Sequence, residues 1–312
     1  MAVRLTGRHF LSLFDYAPEE IYQILELAAR VKQDFYAGRR EPILRGRVLG
    51  MIFQKPSTRT RVSFEAGMIH LGGSAVYLSS RDIQLSRGES VADTGRVLSR
   101  FCDALLARVF GHSDVVDLAK HSRVPVINGL SDFNHPCQIL CDLLTLWEKR
   151  RQLAGLKLAY VGDGNNVAHS WIEGACKMGL DLRIATPEGY EPSMDVLQQA
   201  QPEFARHGGR AWVTHDPVEA VKGADVIYTD VWASMGQEAE HEARVKIFRP
   251  YQVNAKLVAA AGSGVQVMHC LPAHRGEEIT DEVVDGPASI VFDQAENRLH
   301  GQKGLLLYLM GA

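Results

Sequence analysis

Nine short apolar runs, alternating with amphipathic stretches, constrain this chain more than any other feature. Four lie in the first half, at residues 48–53, 75–78, 104–109 and 125–128. Five more follow at 157–163, 182–186, 211–214, 226–229 and 265–270. The intervening stretches have a helical period. Residues 18–36 place Ile21, Ile24, Leu25, Ala28 and Val31 on one face, and 135–151 repeat Ile139, Leu140, Leu143, Leu144 and Trp147 at steps of three and four. Residues 89–101 and 114–121 read as shorter helices. Strand–helix alternation of this kind predicts an α/β fold with mainly parallel sheets flanked by helices. A length of 312 residues accommodates two such domains. The expected division is 1–150 and 151–290, with 291–312 a Leu-rich helix expected to pack back on the first domain. In open parallel sheets, ligands sit beyond the carboxyl ends of strands, and the polar motifs of this chain fall there.

Composition narrows the function classes. A net charge of −3 gives no bulk attraction to nucleic acid or to an anionic membrane surface, so any anion site must be local. The first residues, MAVRLTGRHF, lack the apolar core of a secretion signal, and no apolar run approaches the roughly 20 residues of a membrane span. Five cysteines are an odd number without framework spacing, as expected for reduced thiols. These features predict a cytoplasmic protein without nucleic-acid or membrane partners.

Five motifs carry chemistry. In Ser57-Thr58-Arg59-Thr60-Arg61, hydroxyls and guanidinium groups follow the run 48–53 directly, with Pro56 closing the strand and Ser57 placed to cap the next helix. Cations normally avoid that end of a helix, so two arginines there point to a bound anion, and a phosphate dianion suits the donors and the dipole. The helix itself is expected to bury Val62, Phe64, Ala66, Met68, Ile69 and Leu71. No Walker-type Gly-rich loop is present. His135-Pro136-Cys137-Gln138 opens the long helix, with His135 and Gln138 on one face, able to meet a carbonyl oxygen and an amide. Cys137 and Cys141, four apart, could share a metal but read better as small core residues. Gly162-Asp163-Gly164-Asn165-Asn166 invites a dinucleotide reading, yet Val167 stands at the third glycine and the next strand ends in Thr186-Pro187 rather than an acid, which argues against NAD. Its asparagines suit an amino-acid head group instead. Asp230-Val231-Trp232-Ala233-Ser234-Met235-Gly236 puts a carboxylate at a strand end beside a loop able to close over a substrate. His269-Cys270-Leu271-Pro272 ends the last apolar run.

Together these motifs resemble the aspartate/ornithine carbamoyltransferase family. Ser-Thr-Arg-Thr-Arg and His-Pro-x-Gln are similar to its shared carbamoyl phosphate signature, and Asp-x-Trp-x-Ser-Met-Gly and His-Cys-Leu-Pro to its ornithine branch. The resemblance runs from about Arg8 to the C-terminus. It implies two domains with the active site in the cleft between them. It also implies transfer of the carbamoyl group of carbamoyl phosphate to the δ-amine of L-ornithine, with no metal, cofactor or covalent adduct. By the same resemblance, Ser57, Thr58, Arg59 and Thr60 hold the phosphate, and Arg108 bridges phosphate and carbamoyl oxygen. His135 contacts that oxygen, while Gln138 and the backbone of Cys270 and Leu271 take the amide. Arg298 stands near the carbamoyl group, and Gln84 reaches the site of a neighbouring subunit, which implies a homotrimer or an assembly of trimers. Asn166, Asp230, Ser234 and Met235 would hold ornithine, with Asp230 and Cys270 near its δ-nitrogen.

Overall fold

A computed structural model of the protein describes residues 8–233 and 240–311. Ser234 and Met235, two of the expected ornithine contacts, lie outside the described residues. The chain divides into two compact units: Met1–Leu144 with Asn297–Ala312, and Thr145–Glu296.

The first unit is built on four parallel strands, β1 (Val48–Phe53), β2 (Ser74–Ser79), β3 (Ala104–Arg108) and β4 (Val126–Leu130), in the order β2-β1-β3-β4. The chain moves outward from β1 to β2 and then crosses back to β3, so the switch point lies between β1 and β3. Their carboxyl ends are level, with Phe53 opposite Arg108. Ligands bind at such a point because the loops diverge there and leave a crevice. Helices flank the sheet, among them Pro18–Tyr36, whose buried face is the predicted Ile21, Ile24, Leu25, Ala28 and Val31.

The second unit holds β5 (Lys157–Val161), β6 (Asp181–Ala185), β7 (Arg210–Thr214), β8 (Val226–Thr229) and β9 (Gln266–His269), in the order β7-β6-β5-β8-β9. All are parallel, and the switch point lies between β5 and β8, where Val161 pairs with Thr229. Thr229 in turn pairs with His269. The loops beginning at Gly162, Asp230 and Cys270 therefore leave three adjacent strands side by side.

Two expectations about helices change. The stretch expected as a helix over 89–101 is helical only over Val91–Leu98, because the Ser90 hydroxyl caps it by accepting from Asp93 N–H. The helix Thr58–His70 buries only part of the apolar set read from its sequence, Phe64 and Met68 with Leu71 just beyond it. Val62 and Ile69 are 54% and 67% exposed, while Thr60, Ser63, Phe64, Gly67 and Met68 face inward. The inward polar groups are satisfied by the helix Val291–Met310: Ser63 Oγ meets Gln302 and Thr60 Oγ1 meets Arg298. A partner helix that supplies hydrogen bonds lets polar residues occupy a core face.

The same partner helix carries a buried cation. Lys303 is 2% exposed, with its ammonium over the Phe35 ring at 5.0 Å and Val31 O at 3.5 Å. Burial, reinforced by Arg40, pushes its pKa down to about 8, with Asp34 opposing. The charged form is thus disfavoured by folding. Unfolded chains hold the proton more tightly between pH 8 and 10.5, so stability rises with pH across that window. Lys303→Met is expected to stabilise the protein at pH 7 by about 1–3 kcal/mol, with the gap from the parent closing as thermal melts are taken toward pH 10.

Candidate active site

At the β1/β3 switch point the segment after Phe53 turns into the helix Thr58–His70. Ser57 caps it, its hydroxyl accepting from Thr60 N–H at 3.2 Å and lying 3.2 Å from Thr60 Oγ1. The first turn contains no acidic residue to oppose the positive end of the helix dipole. Thr58 is exposed, Arg59 half-buried and Thr60 buried.

Behind this turn a polar chain runs through the interior of the unit. Arg298 donates to Thr60 Oγ1 at 3.2 Å and to Gln138 Oε1 at 2.5 Å, and the Gln138 amide donates to Asp142 at 2.9 Å. All four residues are buried. The chain fixes the Gln138 amide with its oxygen toward Arg298, and it holds the guanidinium against the helix start. Asp142 is a member that motif reading did not single out; its spacing of four from Gln138 in a helix was the available signal.

His135 directly precedes the helix Pro136–Arg150, where Pro136 takes the first helical position as expected. The imidazole is buried, and its pKa is driven well below the usual value, first by burial and then by the guanidiniums of Arg298, Arg108 and Arg59. It is therefore neutral at physiological pH. Three guanidiniums thus act electrostatically on one ring. Cys137 and Cys141 are fully buried, and burial pushes the Cys137 thiol up to about 12 and that of Cys141 higher. They are core thiols. Gln84 opens a short helical turn, Gln84–Arg87, and is exposed.

In the second unit the carboxylate of Asp230 sits just past β8. It accepts from the Asn165 amide at 2.9 Å, from the Cys270 thiol at 2.9 Å and from Val231 N–H at 2.8 Å. Asn165 caps the helix Asn166–Met178, its oxygen accepting from Val167 and Ala168 N–H and from the Tyr160 hydroxyl. Asn165 thus orients the carboxylate, and Asn166 is the first residue of the helix. Asp163 is buried in an ion pair with Arg244, which also donates to Trp232 O at 2.5 Å. Burial raises its pKa to about 6, Arg244 opposing and Asp230 adding to the rise. This pair spans 81 residues and carries no local signature.

The glycines of the rejected dinucleotide motif have a packing reason. A Cβ on Gly164 would meet Pro192 N at 2.2 Å, and Gly162 has φ +144°. Gly164 is fixed by backbone approach and Gly162 by its positive φ, with no phosphate needed. His269 is buried and structural: its Nδ1 accepts from Leu271 N–H at 2.8 Å, and its Nε2 lies 2.9 Å from Glu278 Oε1. It shapes the turn in which Leu271 adopts φ +57°, a conformation rare for a branched residue and characteristic of sites where the backbone is held for use.

Comparison with known proteins decides the family. Residues 8–148 match the aspartate/ornithine carbamoyltransferase carbamoyl-P binding domain, and residues 154–309 match the Asp/Orn binding domain of the same family. The chain belongs to the aspartate/ornithine carbamoyltransferase family. It is 60% identical over 311 residues to the ornithine carbamoyltransferase of Pyrococcus horikoshii, covering 100% of this chain and 98% of that one. It is equally similar to the anabolic ornithine carbamoyltransferase of Pyrococcus furiosus, covering 100% and 99%. The solved ornithine carbamoyltransferase structure from P. furiosus superimposes with a TM-score of 0.97, covering 100% of this chain and 99% of that one. Within this family, the two parallel-sheet α/β domains are the architecture expected from the alternation of apolar runs. Among the described residues, no helix is long and apolar enough to cross a membrane.

Proposed function

We propose that this chain is an ornithine carbamoyltransferase, transferring the carbamoyl group of carbamoyl phosphate to the δ-amine of L-ornithine to give L-citrulline and phosphate. The full-length 60% identity to proteins of that name carries the reading. The side chains of each unit supply the chemistry it needs.

In the first unit, Ser57, Thr58, Arg59 and Thr60 would receive the phosphate. The helix dipole and backbone N–H groups there favour a dianion, and Arg59, Arg108 and Arg298 add positive charge beside it. Arg108 would span phosphate and carbamoyl oxygen. The neutral His135 ring would donate to that oxygen as negative charge grows on it, forming with Arg108 and Thr60 an oxyanion cradle. A neutral imidazole can donate that hydrogen bond without adding a further positive charge to the three guanidiniums. Gln138, oriented by Arg298 and Asp142, presents an amide to the carbamoyl nitrogen, with the backbone of Cys270 and Leu271 assigned to the same group.

In the second unit, Asp230 and Cys270 lie beside one another and would face the δ-nitrogen, with Asn166, Ser234 and Met235 assigned to the amino-acid end of ornithine. An alkyl ammonium has a pKa of about 10.4, so only about one molecule in 10³ carries a neutral amine near pH 7. The free amine attacks the carbonyl carbon directly, a tetrahedral intermediate forms, and the C–O bond to phosphate breaks toward the helix start. Holding both substrates in line supplies much of the acceleration. The residues require no metal, cofactor or enzyme adduct for these steps.

We assign the protein to the cytoplasm and to a homotrimer, alone or further assembled, on the composition and the family resemblance. Exposed Val62, Ile69 and Val76 and the exposed Gln84 are consistent with a subunit surface.

The test is a citrulline assay with carbamoyl phosphate, offering ornithine, N-acetylornithine, putrescine and aspartate in parallel. Product from ornithine alone is expected. Product from another acceptor overturns the ornithine assignment, and no product with any acceptor overturns the transferase.

A further inference from the structure

A second cluster of ligand-type side chains stands outside this chemistry. His241, the first residue of the helix His241–Phe248, lies with its Nε2 3.0 Å from Glu277 Oε2. His274 Nδ1 lies 3.5 Å from the same carboxylate oxygen. One ligand atom from each of the three residues falls within 4.8 Å of the other two. The imidazole rings meet edge to face at 6.1 Å. The side chains are 37%, 30% and 44% exposed for His241, Glu277 and His274, so an ion in solvent can reach them.

We propose that His241, His274 and Glu277 form a binding site for a late first-row divalent cation, of which Zn²⁺ is the natural probe. Four-coordinate zinc holds nitrogen and oxygen ligands at about 2.0–2.2 Å, which puts neighbouring ligands about 3.3 Å apart. The two contacts at 3.0 and 3.5 Å bracket that spacing. Two imidazoles and one carboxylate are a common ligand set for such ions and leave coordination positions open to water.

The ligands stand on a supported turn. Glu277 N–H donates to His274 O and Gly276 N–H to Ile279 O, which closes the turn 274–279 on itself. Gln252 donates to Gly276 O and Glu277 O at 2.8 Å, and Arg249 donates to Gly276 O at 3.0 Å. Outer contacts of this kind hold ligands in place before the ion arrives. Glu278 then links the turn to the His269-Cys270-Leu271-Pro272 segment, accepting from His274 N–H at 2.6 Å and pairing with His269. A bound ion would pin the start of the helix His241–Phe248 to this turn.

The second triad of ligand-type residues, Asp230, His269 and Cys270, is the competitor for any bound metal. Its imidazole is already committed to Leu271 N–H and Glu278.

The experiment is calorimetric titration of the metal-free full-length protein with Zn²⁺, repeated with Co²⁺ while following visible absorption. One ion per chain is expected, with affinity reduced at least tenfold in His274→Ala and in Glu277→Gln, and unchanged within about threefold in Cys270→Ser. The ion should also raise the melting temperature of the parent and not that of His274→Ala, because a ligand that binds only the folded state stabilises it. Binding that survives both His241→Ala and His274→Ala, or that disappears in Cys270→Ser, overturns the site. Absence of binding at millimolar Zn²⁺ also overturns it and leaves a surface ion pair.

Discussion

Arg108→Met is expected to lower kcat/KM by about 10³-fold or more while leaving the protein at least as resistant to heat. Arg108 ends β3 at the switch point, is 6% exposed, and acts on His135 together with Arg59 and Arg298. Loss of a donor aimed at developing negative charge typically costs 10²–10³ in rate, and this residue is assigned to the phosphate as well. Its removal from the empty site also relieves repulsion among like charges, so stability should hold or rise, as it often does when a functional group is deleted. A third readout separates this account from simple structural damage. With one of three guanidiniums gone, the His135 pKa should move upward toward its ordinary value, observable by NMR of the ring protons. A variant with near-parental kcat/KM, or one whose loss of activity tracks loss of folding, would contradict the assignment.

Asp230→Asn should produce a comparable loss on the other substrate. The carboxylate accepts from three donors, the Asn165 amide, the Cys270 thiol and Val231 N–H. An amide in its place presents NH₂ where at least one donor now points, leaving a buried donor without its acceptor at a cost of about 1–3 kcal/mol. It also removes the negative charge that would attract and orient an ornithine ammonium. A fall of about 10²–10³-fold in kcat/KM for ornithine is expected. Binding of a carbamoyl phosphate analogue, measured by calorimetry without ornithine, should stay within about threefold of the parent. Equal loss of both would mean that the two substrates do not divide between the units as assigned.

Local signals made the fold legible. The run 48–53 and the helix 18–36 appear with the bounds read from periodicity, since each has its buried residues at the spacing its geometry requires. Periodicity failed where burial was polar. Val62 and Ile69 look like core positions of their helix but are exposed, while Thr60 and Ser63 face inward beside Phe64 and Met68, because a distant helix satisfies their hydroxyls. The proposed site motifs stood out because their residues are contiguous and fall at strand ends, as the segments after Phe53, Thr229 and His269 do. Arg298 was reached only through family resemblance: nothing near it in sequence announces that it bonds to Thr60, 238 positions earlier. The Asp163–Arg244 pair, 81 residues apart, was missed for the same reason. Long-range polar pairing leaves no period to detect.

The seating of Arg298 against Thr60 also has a meaning in time. The first unit is interrupted in sequence by the whole of the second, Thr145–Glu296, and resumes only at Asn297. A ribosome therefore delivers the Ser57–Thr60 loop early, then makes the second unit as one continuous stretch. Only afterwards does it supply the helix that satisfies Thr60, Ser63 and Gln138. The second unit can close on itself during synthesis, whereas the proposed anion site receives its Arg298 partner last. A nascent chain at that stage exposes an incomplete core face on its earlier half, and it is this half that a chaperone would be expected to hold.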